Sequence, residues 1–538
     1  MSTDLSDSAD PTRWYPRRTA EPTARHATGT LVAASLAVMV AQVINALPGA
    51  LNGVFQQSFG AVGSQLTWIA AAFMIPVVVF ELTFGVLGDR FGHRKLVVGG
   101  SALLMVGSAV ATVAPTVHWM WVASAINGLA AGAIFPASLA LVASIAISIH
   151  DRIRNIAIWA GFLSAGSAIS PIIGGLLADA GWWRGSYVFV IVVAGIAAVL
   201  TQLIAQESAR HPERRPDLWG QITFAIGLIS VLFGLMQGPE SGWGSTWVIT
   251  ALVVGVVFLA AFLVIETKVA SPLLDLSLFR IRQFSVSSVV AVIGMFAFLG
   301  ACYSTSMWLG PVQHQSPLHT GLMFLLLQGP AFVLIPVIGR LQIRVPAHLL
   351  LTVGFLCMAA GAFLASRNDV TNPALSAFVL PCLLVGIGFA LTLSPLTAAA
   401  VNSVPIDRTG TASAVTNLLR DLGFALGPVL VGAIALSAAG NKLVAGLHSA
   451  GLPPEQLGPA MGITQAGGPL AVNSLPPGAP GSAAHPIALA ALGSGFAQAY
   501  VVVMIAALAA AVLSYVGLRT RRSPLRSTVV ELDALDAA

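Results

Sequence analysis

The chain has 538 residues, 56% of them hydrophobic and only 9% charged, with a formal net charge of +5. Soluble domains run near a quarter charged, so this composition excludes a water-facing globular fold of this size. It also excludes a nucleic-acid binder, because the aromatic residues sit within or beside apolar blocks and are not interleaved with Lys and Arg.

Residues 1–28 are polar and carry Arg13, Arg17, Arg18 and Arg25, and the first apolar block follows directly. They read as an uncleaved cytosolic leader. Fourteen apolar stretches follow, at about 30–52, 67–88, 96–114, 119–144, 153–178, 186–206, 218–236, 246–266, 284–308, 319–339, 347–366, 373–400, 409–437 and 491–518. Most reach the roughly 18–20 residues that cross a bilayer as a helix. Lipid cannot satisfy free backbone N–H and C=O groups, so each span is expected to be helical. The seventh is the least regular, opening with Trp219 and Gln221. The Gly-, Pro- and Ala-rich stretch 438–490 is expected outside the membrane, as a flexible loop or a partly ordered cap. Cys302, Cys357 and Cys382 stand in separate apolar blocks and read as small buried hydrophobes.

The basic residues alternate between the two ends of the spans. Twenty-two Lys and Arg fall on one side, among them Arg90, Arg94, Lys95, Arg152, Arg154, Lys268, Arg340 and Arg408. Three fall on the other: Arg184, Arg367 and Lys442. By the positive-inside rule both termini are cytoplasmic.

The chain repeats itself. Asp151-Arg152 precedes a span with Gly166, Ser170-Pro171 and Gly174-Gly175; Asp407-Arg408 precedes one with Gly423, Gly427-Pro428 and Gly432. One span upstream, Gly128 and Pro136 match Gly386 and Pro395. The expected fold is therefore all-α, integral to the membrane, with about fourteen spans: two pseudo-symmetric six-helix halves plus an inserted pair. The expected division is leader 1–28, first half 29–207, inserted helices 208–268, second half 269–518 and cytosolic tail 519–538.

Between spans 2 and 3 lies Gly85-Val-Leu-Gly88-Asp89-Arg90-Phe-Gly92-His93-Arg94-Lys95. Its glycines permit close helix approach and a tight reversal, and Asp89 can pair with arginines or a helix N-terminus. The turn reads as a conformational latch formed by Gly85, Gly88, Asp89, Arg90, Gly92, Arg94 and Lys95. It resembles the signature loop of the major facilitator superfamily. The segment with Gly166, Ser170, Pro171, Gly174 and Gly175 resembles the antiporter motif of that superfamily. Fourteen spans, Ala46-Leu47-Pro48, Trp68, Pro272 to Arg280 and Asn417 to Gly423 resemble its fourteen-helix drug:proton antiporter branch. The resemblance covers about residues 30–520 and implies two halves rocking about a central site. Four positions depart from the pattern. Met39 stands where the family has an acid, Ser124 where it has an arginine, Phe73 where it has a tyrosine, and Ser170 where it has a glycine.

An ionisable group inside a span is a functional candidate, because burial of its charge is costly. Glu81, eight residues before Asp89, and Asp421 are the proton-coupling candidates. Arg420 is a gating or cavity charge. Neighbouring helix residues point about 100° apart, so Arg420 and Asp421 need not pair. The polar candidates for substrate contact are Gln42, Asn45, Asn127, Gln328 and Asn417. Phe73, Met74, Phe296, Met307 and Trp308 are expected to give the cavity an apolar wall.

No Walker loop and no cluster of catalytic side chains is visible, so neither an enzyme nor direct ATP drive is expected. No cofactor, metal or nucleic-acid partner is expected; the partners are the lipid bilayer, a small hydrophobic or amphipathic substrate and H⁺, with the chain acting as a monomer. The expected function is export by alternating access with H⁺ antiport. A specialised lipid or metabolite exporter or uncoupled carrier is the alternative that Met39 and Ser124 favour, and a receptor or scaffold on a carrier fold is the second.

Overall fold

The computed structural model describes residues 24–146, 149–208, 217–269, 272–405 and 408–519. Most of the leader, the Arg210, Arg214 and Arg215 group, Asp407 and the tail from 520 onward lie outside the described residues.

The first span is two helices, α1 (Ala24–Ala46) and α2 (Pro48–Phe59). The break falls at Leu47-Pro48 because Pro48 has no N–H to donate one turn back. Five helices complete the first half: α3 (Gln65–Phe91), α4 (His93–Val113), α5 (Val117–Ser144), α6 (Ile149–Asp179) and α7 (Gly185–Ile204). The inserted pair is α8 (Leu218–Ser241) and α9 (Thr246–Glu266). A 3₁₀ turn, Leu276–Arg280, leads to α10 (Arg282–Met307), which ends in a π-helical turn, Trp308–Val312. Then come α11 (Pro317–Val333), α12 (Ile335–Arg344), α13 (Ala347–Ser366), α14 (Ser376–Val401), α15 (Thr409–Ser449), α16 (Pro454–Asn473) and α17 (His485–Gly517). Among the described residues thirteen helices are long and apolar enough to span a membrane, and α11 and α12, bent by 51° at their junction, give a fourteenth if they are counted as one span. Pro330 and Pro336 lie on either side of that bend.

Glycines show how the repeat becomes two halves. A methyl added at Gly128 on α5 would collide with the Phe73 carbonyl on α3; at Gly386 on α14 it would collide with the Leu326 carbonyl on α11. At Gly166 on α6 the obstacle is the Met39 carbonyl on α1, and at Gly423 on α15 it is the Val292 carbonyl on α10. Each half thus packs its fourth span on its second and its fifth on its first through matched glycines.

The halves exchange partners at their seams. Span 5 reaches into the second half, where a methyl at Gly175 would lie 2.7 Å from Leu318 Cα on α11. Span 13 reaches back, and Gly432 faces Thr67 on α3 at 3.1 Å by the same measure. Further ties lie at the end remote from the Gly85–Lys95 turn. Asn52 Nδ2 donates to Ser306 Oγ at 2.9 Å, Ser306 Oγ donates to the Gly49 carbonyl at 2.6 Å, and Thr67 and Tyr303 hydroxyls meet at 2.5 Å. The seam is closed there. At Gly85, near the basic end, an added methyl meets nothing within 4 Å.

The inserted pair is asymmetric. α9 packs chiefly on α8, and most of its apolar length is not buried within the protein. α8 lies along both α3 and α15. Glu240 accepts the Ser64 N–H at 2.5 Å, the Trp68 and Phe233 rings stand 6.0 Å apart, and Gln221 Nε2 donates to the Val79 carbonyl at 2.6 Å.

The 438–490 stretch is an ordered helical cap. α15 runs on to Ser449, and α16 folds back with a small core of its own around Leu443, Leu447, Ala460 and Val472.

Candidate functional site

Glu81 and Asp421 approach one another across the seam between the halves. Glu81 lies on α3 and is 8% exposed; Asp421 lies on α15. Their carboxyl groups come close together there. Arg420 Nη1 donates to Asn417 Oδ1 at 3.2 Å. Its charge still acts on both acids. Glu81 Oε2 and Arg420 Nε have no hydrogen-bond partner among the described residues. One side of the seam is covered by α8, whose Gln221 holds the turn of α3 on either side of Glu81 through the Val79 carbonyl and the Thr83 hydroxyl.

Gly85 lies one turn beyond Glu81, on the same face of α3. The rest of the turn is anchored within the first half. Asp89 Oδ1 lies 3.6 Å from His93 Nε2, and His93 Nδ1 meets Ser208 Oγ at 2.7 Å. Gly92 adopts φ 105°, a backbone region that favours glycine, and a methyl there would strike the Glu207 carboxylate. That carboxylate accepts the Arg94 N–H at 2.9 Å at the start of α4, where the helix N-terminus favours an acid. Arg94 Nη1 also donates to the Ala205 carbonyl at 3.3 Å. Arg90 lies over the Phe91 ring, 5.3 Å from its centroid, and Lys95 is exposed. Close approach at Gly85, expected from sequence, is not made in this conformation, whereas Gly88 does pack tightly, against His93.

The antiporter-motif helix uses two faces. Gly166, Ser170 and Gly174 face α1 and α2, while Pro171 and Gly175 face α11, where the Pro171 carbonyl abuts Gly321. Ser170, fully buried, donates to the Val43 carbonyl at 2.5 Å. A glycine could not make that bond, so this departure from the family pattern adds a polar tie to the α1–α6 seam.

The substrate candidates separate. Gln42 is half-buried and donates to Ser167 Oγ at 2.7 Å, with Asn45 Nδ2 3.5 Å from Gln42 Oε1. Gln328 on α11 is 8% exposed, and Asn417 holds Arg420. Asn127 is 1% exposed and its Oδ1 points at Gly107 of α4, between two helices of one half. The expected apolar wall is largely packed core. Phe73 and Met74 are each 4% exposed, Met307 and Trp308 are fully buried, and Trp308 packs on Phe378 and Tyr500. Only Phe296 of that group is half-buried. Large apolar residues near a helix end look alike from sequence whether they face a cavity or a neighbouring helix. Sequence reading also missed Gln221 and Glu207; a polar residue opening the irregular seventh span was the one signal for Gln221.

Among the described residues no group of three or more His, Cys, Asp or Glu is placed to hold a metal. Cys302 and Cys382 are free and buried, and Cys357 is free and partly buried.

Comparison with known proteins agrees with this architecture. Residues 33–428 match the Major Facilitator Superfamily. The chain is 30% identical over 411 residues to the multidrug resistance protein Stp of Mycobacterium tuberculosis, covering 75% of each chain. It is 28% identical over 500 residues to the multidrug efflux pump LfrA of Mycolicibacterium smegmatis, covering 91% of this chain and 96% of that one. A bacterial homologue of the human lysosomal transporter Spinster, solved inward-facing and unoccupied, superposes with a TM-score of 0.65 at 15% identity, covering 94% of this chain and 100% of that one. The chain belongs to the major facilitator superfamily and is a multi-pass membrane transporter, not an enzyme.

Proposed function

We propose that this protein exports a small hydrophobic or amphipathic molecule by alternating access, in exchange for protons, across the cell membrane. Both termini lie in the cytoplasm in this reading, since the basic ends of the spans then lie inside. Similarity to the multidrug resistance protein Stp and the multidrug efflux pump LfrA supports export of a small molecule. The observation that supports the coupling is the approach of Glu81 and Asp421 across the two halves; in this reading they share a proton, since two ionised carboxylates have no donor between them.

The physical link is short. With the proton present, the contact holds α3 to α15. Without it, two like charges face one another across the seam and repel, partly offset by Arg420. Proton loss to the cytoplasm therefore loosens the seam. In this reading the pair takes over proton handling from the acid that Met39 replaces. The Gly85–Lys95 turn latches the cytoplasmic side when Gly85 closes on α15.

The test is proteoliposome transport with an imposed pH gradient. Wild-type efflux should follow the gradient, and Glu81→Gln and Asp421→Asn should each abolish that dependence. Because the two groups act as one unit, the double variant should be no worse than either single one. Efflux indifferent to the gradient in wild type, with both variants silent, would instead support the uncoupled carrier that Met39 and Ser124 favour.

A further inference from the structure

Thr352 and Leu356 lie one turn apart on α13, and Leu508, Val512 and Tyr515 fall at i, i+4 and i+7 on α17. The two helices pack along one another, and these residues line an apolar groove between them. Ala511 forms its floor. The short side chain leaves the recess, and the Ala511 carbonyl accepts the Thr352 hydroxyl at 3.4 Å. Leu356, Leu508 and Val512 stay exposed at the protein surface, so in a membrane the groove opens to lipid.

One end of the groove differs from the rest. Tyr515 closes it toward the basic ends of the spans. The His348 ring stands 6.4 Å from the Tyr515 ring, and Arg519 Cζ lies 5.7 Å from the same ring centroid. Arg519 is exposed, two residues past the end of α17. Tyrosine and arginine at a helix end settle at the membrane–water interface, ring in the apolar layer and charge in the wet one. From Leu508 to Tyr515 the helix rises roughly 10 Å at about 1.5 Å per residue, against about 15 Å for the hydrocarbon of one leaflet.

The groove thus has the length and polarity for an acyl chain, and its rim offers a guanidinium and an imidazole to an anion. We propose that it is a binding site for an anionic phospholipid, with an acyl chain between α13 and α17 and the headgroup phosphate held by Arg519 and His348. Basic groups between helices at the membrane surface select such headgroups. A choline lipid fills the groove equally well but brings a quaternary ammonium to a rim that is already basic. Both helices belong to the second half, so the site needs no movement between the halves and is independent of proton exchange and of the direction of transport.

In the test, full-length protein delipidated in detergent receives equal amounts of phosphatidylglycerol and phosphatidylcholine with identical chains. Native mass spectrometry then counts each lipid retained. Phosphatidylglycerol should be favoured at least about fivefold, the factor that one basic side chain near an anionic lipid gives. Arg519→Gln should bring the two lipids to within about twofold of one another. Arg154→Gln, at an exposed arginine on the basic end of the first half, should leave the preference intact. His348→Phe keeps the ring contact and loses the N–H, and should lower retention of phosphatidylglycerol. Val512→Trp fills the groove without changing charge, and should lower retention of both lipids. Glycerol phosphate in excess, a headgroup without chains, should displace neither. Equal retention of the two lipids by wild type overturns the proposal, as does unchanged retention in Arg519→Gln, His348→Phe or Val512→Trp. An Arg154→Gln effect as large as that of Arg519→Gln would mean general attraction to the basic face, and displacement by glycerol phosphate would mean a free-phosphate site; either result overturns the lipid assignment. None of these measurements involves transport, so this inference and the export reading fail separately.

Discussion

Gly166→Ala gives the sharpest check on how the halves are built. The new methyl would sit closer than 3.0 Å to the Met39 carbonyl, a backbone atom that cannot swing aside, with Gln42 Cβ at 3.2 Å. Relief requires α1 and α6 to part by roughly half an ångström or more in a close-packed interior, and overpacking of this kind costs about 1–3 kcal/mol. The same movement stretches the Gln42–Ser167 bond of 2.7 Å and the Ser170–Val43 bond of 2.5 Å. Each is worth about 1 kcal/mol net. Against this, Ala gains about 0.5–1 kcal/mol over Gly within a helix. The balance is a loss of about 2 kcal/mol, with an upper limit near 4. Gly85→Ala is the control, since it meets nothing within 4 Å and keeps only the helix gain. In detergent-purified protein the apparent melting midpoints should rank Gly85→Ala at or above wild type and Gly166→Ala several degrees below. Gly423→Ala should match Gly166→Ala, because it repeats the contact against Val292. Equal midpoints for Gly166→Ala and Gly85→Ala would refute the packing argument. The latch reading adds that Gly85→Ala, although stable, transports more slowly, because its methyl obstructs closure on α15.

Ser170→Ala should cost only about 0.5–1 kcal/mol, because the Val43 carbonyl keeps its bond from the Leu47 N–H at 3.0 Å; thermal unfolding checks this. Ser170→Gly, which restores the family residue, should be less stable than Ser170→Ala by about 0.5–1 kcal/mol, since glycine weakens a helix interior. Asn473→Ala removes the donor to the Pro311 and Val312 carbonyls, and limited proteolysis of intact protein should then cut the 450–485 cap faster, by about five- to tenfold. Gln221→Leu should release α8 from α3, read as weaker disulfide trapping between cysteines placed on the two helices, with a loss of about 1–3 kcal/mol.

Much of the architecture lies in one-dimensional patterns. Span number follows from apolar length, because a bilayer admits only segments that satisfy their own backbone. The two halves follow from spacing, and the glycines of the repeat, Gly128 with Gly386 and Gly166 with Gly423, make equivalent contacts. Glu81, Arg420 and Asp421 stood out because charge is rare inside spans. Their arrangement did not. Residues 81 and 421 are far apart in sequence, and only the crossing of α3 and α15 joins the two acids while turning Arg420 to Asn417. Side-chain direction also escaped the sequence: Asn127 and Trp308 carry the same polarity whether they face a cavity or, as here, a neighbouring helix. The 438–490 stretch could not be resolved between loop and cap, since its short apolar runs acquire a core only when α16 folds against α15 and α17. Composition and periodicity determined that this chain spans a membrane about fourteen times in two related halves. Tertiary packing decided which charges meet and which end of the seam is shut, because each depends on where two distant helices cross.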